Sequence, residues 1–190
     1  MKIIGLAGRK RSGKSTIAEY LQETMHTEVF AFADPIRWAC DVMFEPIIAP
    51  KFWDELEREE DIPAIGMSRR QIEQTLGTEW GRELIHPDLW KIILQHRMQK
   101  VLKDCPRAEL IVIEDIRFEN EAAFVRAVGG TVIHVVQPQW KRQADPHESE
   151  KGINWKCAEG DKILLNDGSI EELLSKIDAM LDTIAEVKTK

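Results

Sequence analysis

Apolar residues recur along this chain in two rhythms. Short continuous runs read as strands: Lys2-Ile3-Ile4-Gly5-Leu6-Ala7, Glu28-Val29-Phe30-Ala31-Phe32-Ala33, Glu109-Leu110-Ile111-Val112-Ile113-Glu114, Thr131–Val136 and Lys162-Ile163-Leu164-Leu165. The third run is apolar enough to be buried on both faces, as central parallel strands are. Between these runs apolar residues return at helical spacing: Ile17, Ala18 and Leu21; Ile36, Cys40, Met43 and Phe44; Leu89, Ile92, Ile93 and Val101; and Ile170, Leu173, Leu174, Ile177, Leu181 and Ile184.

Local signals mark where these elements start and stop. Pro35 sits in the first turn of the helix after strand two, and Pro87 opens a later one. Ser68 with Gln71, and Ser169 with Glu172, carry capping-box spacing. Asp104-Cys105-Pro106 stops one helix, and Gly129-Gly130 stops the helix predicted over Asn120–Val128. Glu45–Met67 is poorly periodic and reads as a loop with one short helix.

Strands alternating with helices predict a doubly wound, three-layer α/β/α fold with a five-stranded parallel sheet. The non-repeating stretches follow strand two and strand four. This divides a single domain into a core (1–33, 107–138, 161–190), a helical insertion (34–106) and a lid (139–160). Ligands of open α/β sheets bind at the carboxyl ends of strands, where such segments can close and exclude water.

The chemistry starts at Gly8-Arg9-Lys10-Arg11-Ser12-Gly13-Lys14-Ser15, which fits G-x-x-x-x-G-K-[ST] and lies between the first strand and first helix. Gly8, Arg11, Ser12 and Gly13 would cradle ATP phosphates with backbone N–H groups. Lys14 would reach the β- and γ-phosphates, Ser15 would hold Mg²⁺, and Thr16 is next in line for a donor phosphate. Arg9, Lys10 and Arg11 are either solvated charge or phosphate contacts. Glu114-Asp115 ends strand three where a Walker-B acid would stand, so Asp115 is the second Mg²⁺ candidate. Arg117 either reaches a phosphate or forms a surface ion pair.

In the insertion, Arg69, Arg70 and Arg82 flank a helix carrying Gln74, Thr78 and Trp80. Guanidinium forks hold phosphate, and Gln or Thr reads a base edge. Trp80 either stacks on a base or packs in the core, and His86 and Trp90 carry the same ambiguity. Asp34 and Arg37, at the start of the helix after strand two, join this acceptor set. Asp34 is either a helix cap or a carboxylate base. In the lid, Lys141 and Arg142 offer positive charge to a transferring phosphoryl group. His147-Glu148-Ser149-Glu150 has no metal-ligand spacing, and a hinge or nucleotide contact is preferred for it.

Composition narrows the partners. A formal net charge of -7 argues against wrapping duplex DNA. Cys40, Cys105 and Cys157 are odd in number and lack metal spacing, so they read as reduced intracellular thiols. No run is long enough to span a bilayer, and the N-terminus enters a strand at once, so a cytoplasmic protein is expected.

Several blocks taken together are specific: Phe32-Ala33-Asp34-Pro35-Ile36, Arg70-Gln71, Leu76-Gly77-Thr78-Glu79-Trp80-Gly81-Arg82, His86-Pro87-Asp88-Leu89-Trp90, Asp115-Ile116-Arg117-Phe118-Glu119-Asn120-Glu121 and His147–Glu150. With the P-loop they cover nearly the whole chain, which resembles bacteriophage-type deoxynucleoside monophosphate kinases. The resemblance implies a P-loop fold related to nucleoside monophosphate kinases. It also implies γ-phosphoryl transfer from ATP to a dNMP, Mg²⁺ as the metal, and a homodimer. In place of a basic residue before Pro138 the chain has Gln137, which leaves Arg142 or Lys141 as the lid cation. Two other readings are a P-loop kinase for a hydroxyl acceptor, with Asp34 as base, and a nucleotide-binding switch. The chain lacks the Asn-Lys-x-Asp signature of GTPase switches.

Overall fold

The computed structural model describes residues 1–104, 107–138 and 160–187. Lys141, Arg142, His147–Glu150, Cys105 and Cys157 lie outside the described residues. The chain divides into two compact units, one drawn from Met1–Ala31 and Met98–Lys190, the other formed by Phe32–Arg97.

The first unit is a five-stranded parallel sheet in the order β2-β5-β1-β6-β7, with β1 Lys2–Ala7, β2 Thr27–Phe30, β5 Leu110–Ile116, β6 Thr131–Val136 and β7 Lys162–Leu165. Side chains alternate across a strand, and the two faces of β1 show it. Ile4 and Leu6 join Leu110, Val112, Ile133 and Val135 in one core, closed by Ile17 and Leu21 of α1 (Lys14–Thr24) and Leu173, Ile177 and Leu181 of α6 (Ile170–Val187). Gly5 points the other way, toward Val125 of α5 (Glu119–Ala127) and Ile116. Helices therefore cover both faces. Each large apolar chain buried in this core contributes roughly 1.5–3 kcal/mol.

The second unit begins with α2 (Asp34–Ile48), which carries Pro35 in its first turn. A 3₁₀ turn at Trp53–Glu55 follows, then the antiparallel pair β3 (Asp61–Ile62) and β4 (Met67–Ser68). Next come α3 (Arg69–Gln74), a π-helix over Thr75–Ile85, and α4 (Leu89–Asp104), whose last turns belong to the first unit. Ser68 caps α3 as its spacing predicts: Gln71 N donates to Ser68 Oγ at 3.3 Å and Ser68 N to Gln71 Oε1 at 2.8 Å.

Two of three local expectations are corrected here. α2 runs on to Ile48 through Pro46, because the turn that Pro46 weakens lies on the exposed side beside Val42, 78% exposed. Glu45–Met67 carries the expected short helix as the 3₁₀ turn at Trp53–Glu55, and that turn is anchored. Trp53 is buried, stacks on Phe44 at 5.1 Å, and receives a backbone hold when its N–H donates to Asp41 Oδ1 at 2.8 Å. Finally, α4 starts at Leu89 rather than Pro87, and it buries Trp90, Leu94 and Met98 while Ile92 is exposed. Trp90 sets that phase. Its indole N–H donates to the Gly77 carbonyl at 2.6 Å, and it lies so close to Gly81 that a Cβ there would stand 2.4 Å from the ring.

Candidate active site

The loop between β1 and α1 folds as its glycines require. Gly8 and Gly13 have φ of 155° and 103°, and Arg11 between them has φ 62°. A Cβ on Gly8 would stand 2.5 Å from the Val135 carbonyl and 2.7 Å from Ser12 Oγ, so no other residue fits this backbone. Gly13 is the N-cap of α1, whose first turn has neither a side-chain cap nor an acidic residue. Its N–H groups and the positive helix end are thus kept for an anion. Lys14 bends back over the loop, donating to the carbonyls of Gly8 and Arg9, both at 2.8 Å, with Ser12 Oγ at 3.5 Å. Ser15 and Thr16 follow on the first turn, Ser15 exposed and Thr16 half-buried.

Asp115 lies on the neighbouring strand, at the same end of the sheet. β1 pairs Gly5 with Ile113 and Ala7 with Ile116, so two steps on β1 face three on β5. The extra residue makes a bulge at Glu114-Asp115. Bulges re-aim side chains, and both acids emerge half-buried before Ile116 returns to the core at 1% exposure. Gly5 makes room for that return, since a Cβ there would stand 2.2 Å from Ile116 Cδ1. The bulge was not foreseen, although a glycine inside a strand is its usual mark.

Arg117 follows the bulge, and a buried acid holds its main chain. Glu121, 2% exposed, accepts from the backbone N–H of Arg117 at 2.8 Å and of Phe118 at 3.0 Å through Oε2. Glu121 closes the Asp115–Glu121 motif and pins the segment that carries Arg117.

In the Phe32–Arg97 unit the acceptor candidates fall into groups. Asp34 receives Arg97 at 2.9 Å and Arg37 at 3.8 Å, and the Arg97 guanidinium lies 4.0 Å over the Trp38 ring. Asp34 is thus the shared ion-pair partner of Arg37 and Arg97. Arg97 had no local signal, because the pair joins residues far apart in the chain. Arg69 donates to Glu73 Oε1 at 2.9 Å and to the Asp54 carbonyl at 3.0 Å, and its remaining fork pairs with the Asp54 carboxylate. Glu73 also receives the Trp53 indole at 3.0 Å and Arg58 at 3.2 Å. Arg70 is buried and lies 3.6 Å from Glu59. Arg82 stands apart in the last turn of the π-helix, donating to the Pro87 carbonyl at 3.3 Å. Thr78 is buried, Gln74 half-buried, and Trp80 is 46% exposed, tilted against Trp90 at 6.5 Å.

Two further groups stand outside this chemistry. Burial pushes the Cys40 thiol up to about 12, which makes it an inert core residue. Asp161 is bound by Arg126 at 3.0 and 2.7 Å and by His134 at 3.0 Å. Burial works to raise its carboxyl, but the hydrogen bonds from Arg126 and His134 win and hold it below the ordinary range. Among the described residues no helix is long and apolar enough to cross a membrane.

Residues 2–69 and 57–177 match the family described as deoxynucleotide monophosphate kinase. The chain belongs to that family. A protein of Acanthamoeba polyphaga mimivirus, provisionally named a deoxynucleotide monophosphate kinase, is 33% identical over 98% of this chain and 100% of its own length. The deoxynucleotide monophosphate kinase of Escherichia phage RB69 is 26% identical over 95% of this chain and 100% of its own. Among solved structures, a dephospho-CoA kinase from Campylobacter jejuni superposes with a TM-score of 0.50 at 16% identity, covering 99% of this chain and 100% of that one. That likeness is one of fold, and it agrees with the three-layer P-loop architecture. The loop at Gly8–Ser15 and the bulged Asp115 lie at the carboxyl end of the sheet, where open α/β sheets bind their ligands.

Proposed function

We propose that this enzyme transfers the γ-phosphoryl of ATP to a deoxynucleoside monophosphate, giving dNDP and ADP, with its donor half at Gly8–Thr16 and Asp115. The observation that carries the assignment is the P-loop: a left-handed turn closed by Gly8 and Gly13, an uncapped helix start, and Lys14 folded over them. The acceptor phosphate is already an ionised nucleophile, so positioning and charge neutralisation suffice and no general base is required. Lys14 and Arg117, with Arg142 from outside the described residues, neutralise charge on the transferring group. Asp34, Arg37, Arg69, Arg70, Gln74, Thr78, Trp80 and Arg82 form the acceptor side, the arginines holding phosphate.

Mg²⁺ fits the donor half. It takes oxygen ligands and is commonly held by one or two side chains together with substrate phosphates, and Ser15 and Asp115 supply such oxygens. Ser15 and Asp115 would hold Mg²⁺, which when bound would supply positive charge to the phosphates. We further propose a homodimer acting in the cytoplasm, the host's for a viral enzyme.

The test is ADP release with ATP and Mg²⁺ against a panel of deoxynucleoside monophosphates and the matching deoxynucleosides. Stimulation by monophosphates alone is expected. Stimulation by the nucleosides, or by no acceptor, would overturn the reading.

A further inference from the structure

β7 delivers one residue to the P-loop that the sequence reading left unassigned. Asn166 continues the parallel pairing one residue past the strand, its N–H donating to the Val136 carbonyl at 2.7 Å. Its side-chain amide then turns onto the phosphate loop, and Nδ2 donates to the Ser12 carbonyl at 3.0 Å. Gly13 leaves the space for it. A Cβ on Gly13 would stand 2.8 Å from Nδ2 and 3.0 Å from Leu173 Cδ2.

We propose that Asn166 is a donor-side positioning residue, which aims a phosphate-binding N–H of the P-loop by holding the carbonyl on the other side of the same peptide group. The proposal rests on the donor-site reading above. A trans peptide is planar, so its C=O and N–H point in opposite directions. Clamping the Ser12 carbonyl outward therefore directs the Gly13 N–H inward, toward the phosphates.

Hydrogen bonds flank the turn that carries the amide. Lys176 Nζ donates to the Leu165 carbonyl at 3.1 Å and to Asp167 Oδ1 at 2.5 Å. Ser169 and Glu172 close the capping box beside it, Ser169 N donating to Glu172 Oε2 at 2.9 Å and Glu172 N to Ser169 Oγ at 3.3 Å. Ser12 itself is 3% exposed and Asn166 is half-buried, so the acceptor side of this hydrogen bond is largely shielded from water. In such a setting a lost donor leaves a buried acceptor unmatched.

Asn166→Ala removes the donor. Asn166→Asp keeps the shape but sets an oxygen against the Ser12 carbonyl. Calorimetric titration of the whole protein with Mg²⁺ and a non-hydrolysable ATP analogue should show Kd about fivefold weaker in Asn166→Ala and about ten- to thirtyfold weaker in Asn166→Asp. In steady-state assays the KM for ATP should rise in the same order while the acceptor KM stays within about twofold. Analogue affinity unchanged in both variants would overturn the proposal. So would equal increases in the two KM values, or loss of folding in both variants, which would assign Asn166 to stability alone. If the wild-type protein binds the analogue but phosphorylates no monophosphate, the functional reading fails, and the titration still decides the role of Asn166.

Discussion

Glu121 gives the sharpest test of how the fold positions the site. Its Oε2 accepts two backbone N–H groups, from Arg117 at 2.8 Å and Phe118 at 3.0 Å, and the side chain is buried. A hydrogen bond to a charged group contributes about 1.5–3 kcal/mol. The two bonds share one oxygen, so Glu121→Ala should cost about 3 kcal/mol. For a protein of this size that lowers Tm by about 6–12 °C. Glu121→Gln keeps an acceptor oxygen without its charge, and charge-assisted bonds are about twice as strong as neutral ones, so about half the loss is expected. The same bonds fix the chain directly after the Glu114-Asp115 bulge. Loosening them should therefore lower kcat by about ten- to a hundredfold in Glu121→Ala, since a displacement near 1 Å can cost about a hundredfold. Urea unfolding and initial rates of ADP release read the two effects separately. The reasoning fails if Glu121→Gln is as damaging as Glu121→Ala, or if the alanine variant loses less than about 1 kcal/mol.

Lys14→Ala should lower ADP release by at least about 10²–10³-fold while the protein still unfolds cooperatively in urea, because it removes the positive charge held over the P-loop. Asp161→Asn should cost about 2 kcal/mol near pH 7, below the usual figure for a broken buried pair because Arg126 keeps Glu119 at 2.7 Å. The Asp161 carboxyl is depressed in the folded state, so its contribution is full above the unfolded value of about 3.9 and is lost as pH falls through the folded one. The gap between variant and wild type in urea unfolding should accordingly close in acid. Arg69→Ala should lower stability by about 2 kcal/mol as well as raising the acceptor KM, because it leaves the buried Glu73 with only Arg58 and Trp53 of the partners described here. An unchanged unfolding midpoint would remove the structural half of that account.

What the sequence made legible was whatever physics writes locally. Continuous apolar runs gave the five parallel strands, and Ser68/Gln71 and Ser169/Glu172 gave two helix starts, because a cap is settled within four residues. The P-loop was readable for the same reason: Gly8 and Gly13 are required by backbone shape. The misses are all decided at a distance. The phase of α4 depends on the Trp90 indole finding the Gly77 carbonyl, which no periodicity within the helix contains. The bulge at Asp115 depends on how β5 registers with β1. Arg97 belongs with Asp34, and Asn166 with Ser12, through contacts that only tertiary folding creates.

The Phe32–Arg97 unit, proposed above as the acceptor side, suggests how an acidic chain can serve anionic substrates. Five of its arginines come with carboxylates: Arg37 and Arg97 with Asp34, Arg69 with Asp54 and Glu73, Arg58 with Glu73, Arg70 with Glu59. A paired carboxylate weakens the long-range pull on a phosphate, and that loss grows with every acid added. In return it holds the guanidinium in one orientation, so less side-chain entropy is lost when a ligand arrives. Arg97 shows the arrangement most plainly, with Asp34 fixing one edge of its plane and the Trp38 ring one face. Selectivity of such a unit comes from where its donors point, and net charge contributes little. Neutralising Asp34 should then weaken acceptor binding even though it makes the unit more positive. A unit that worked by charge alone would bind more tightly after the same change.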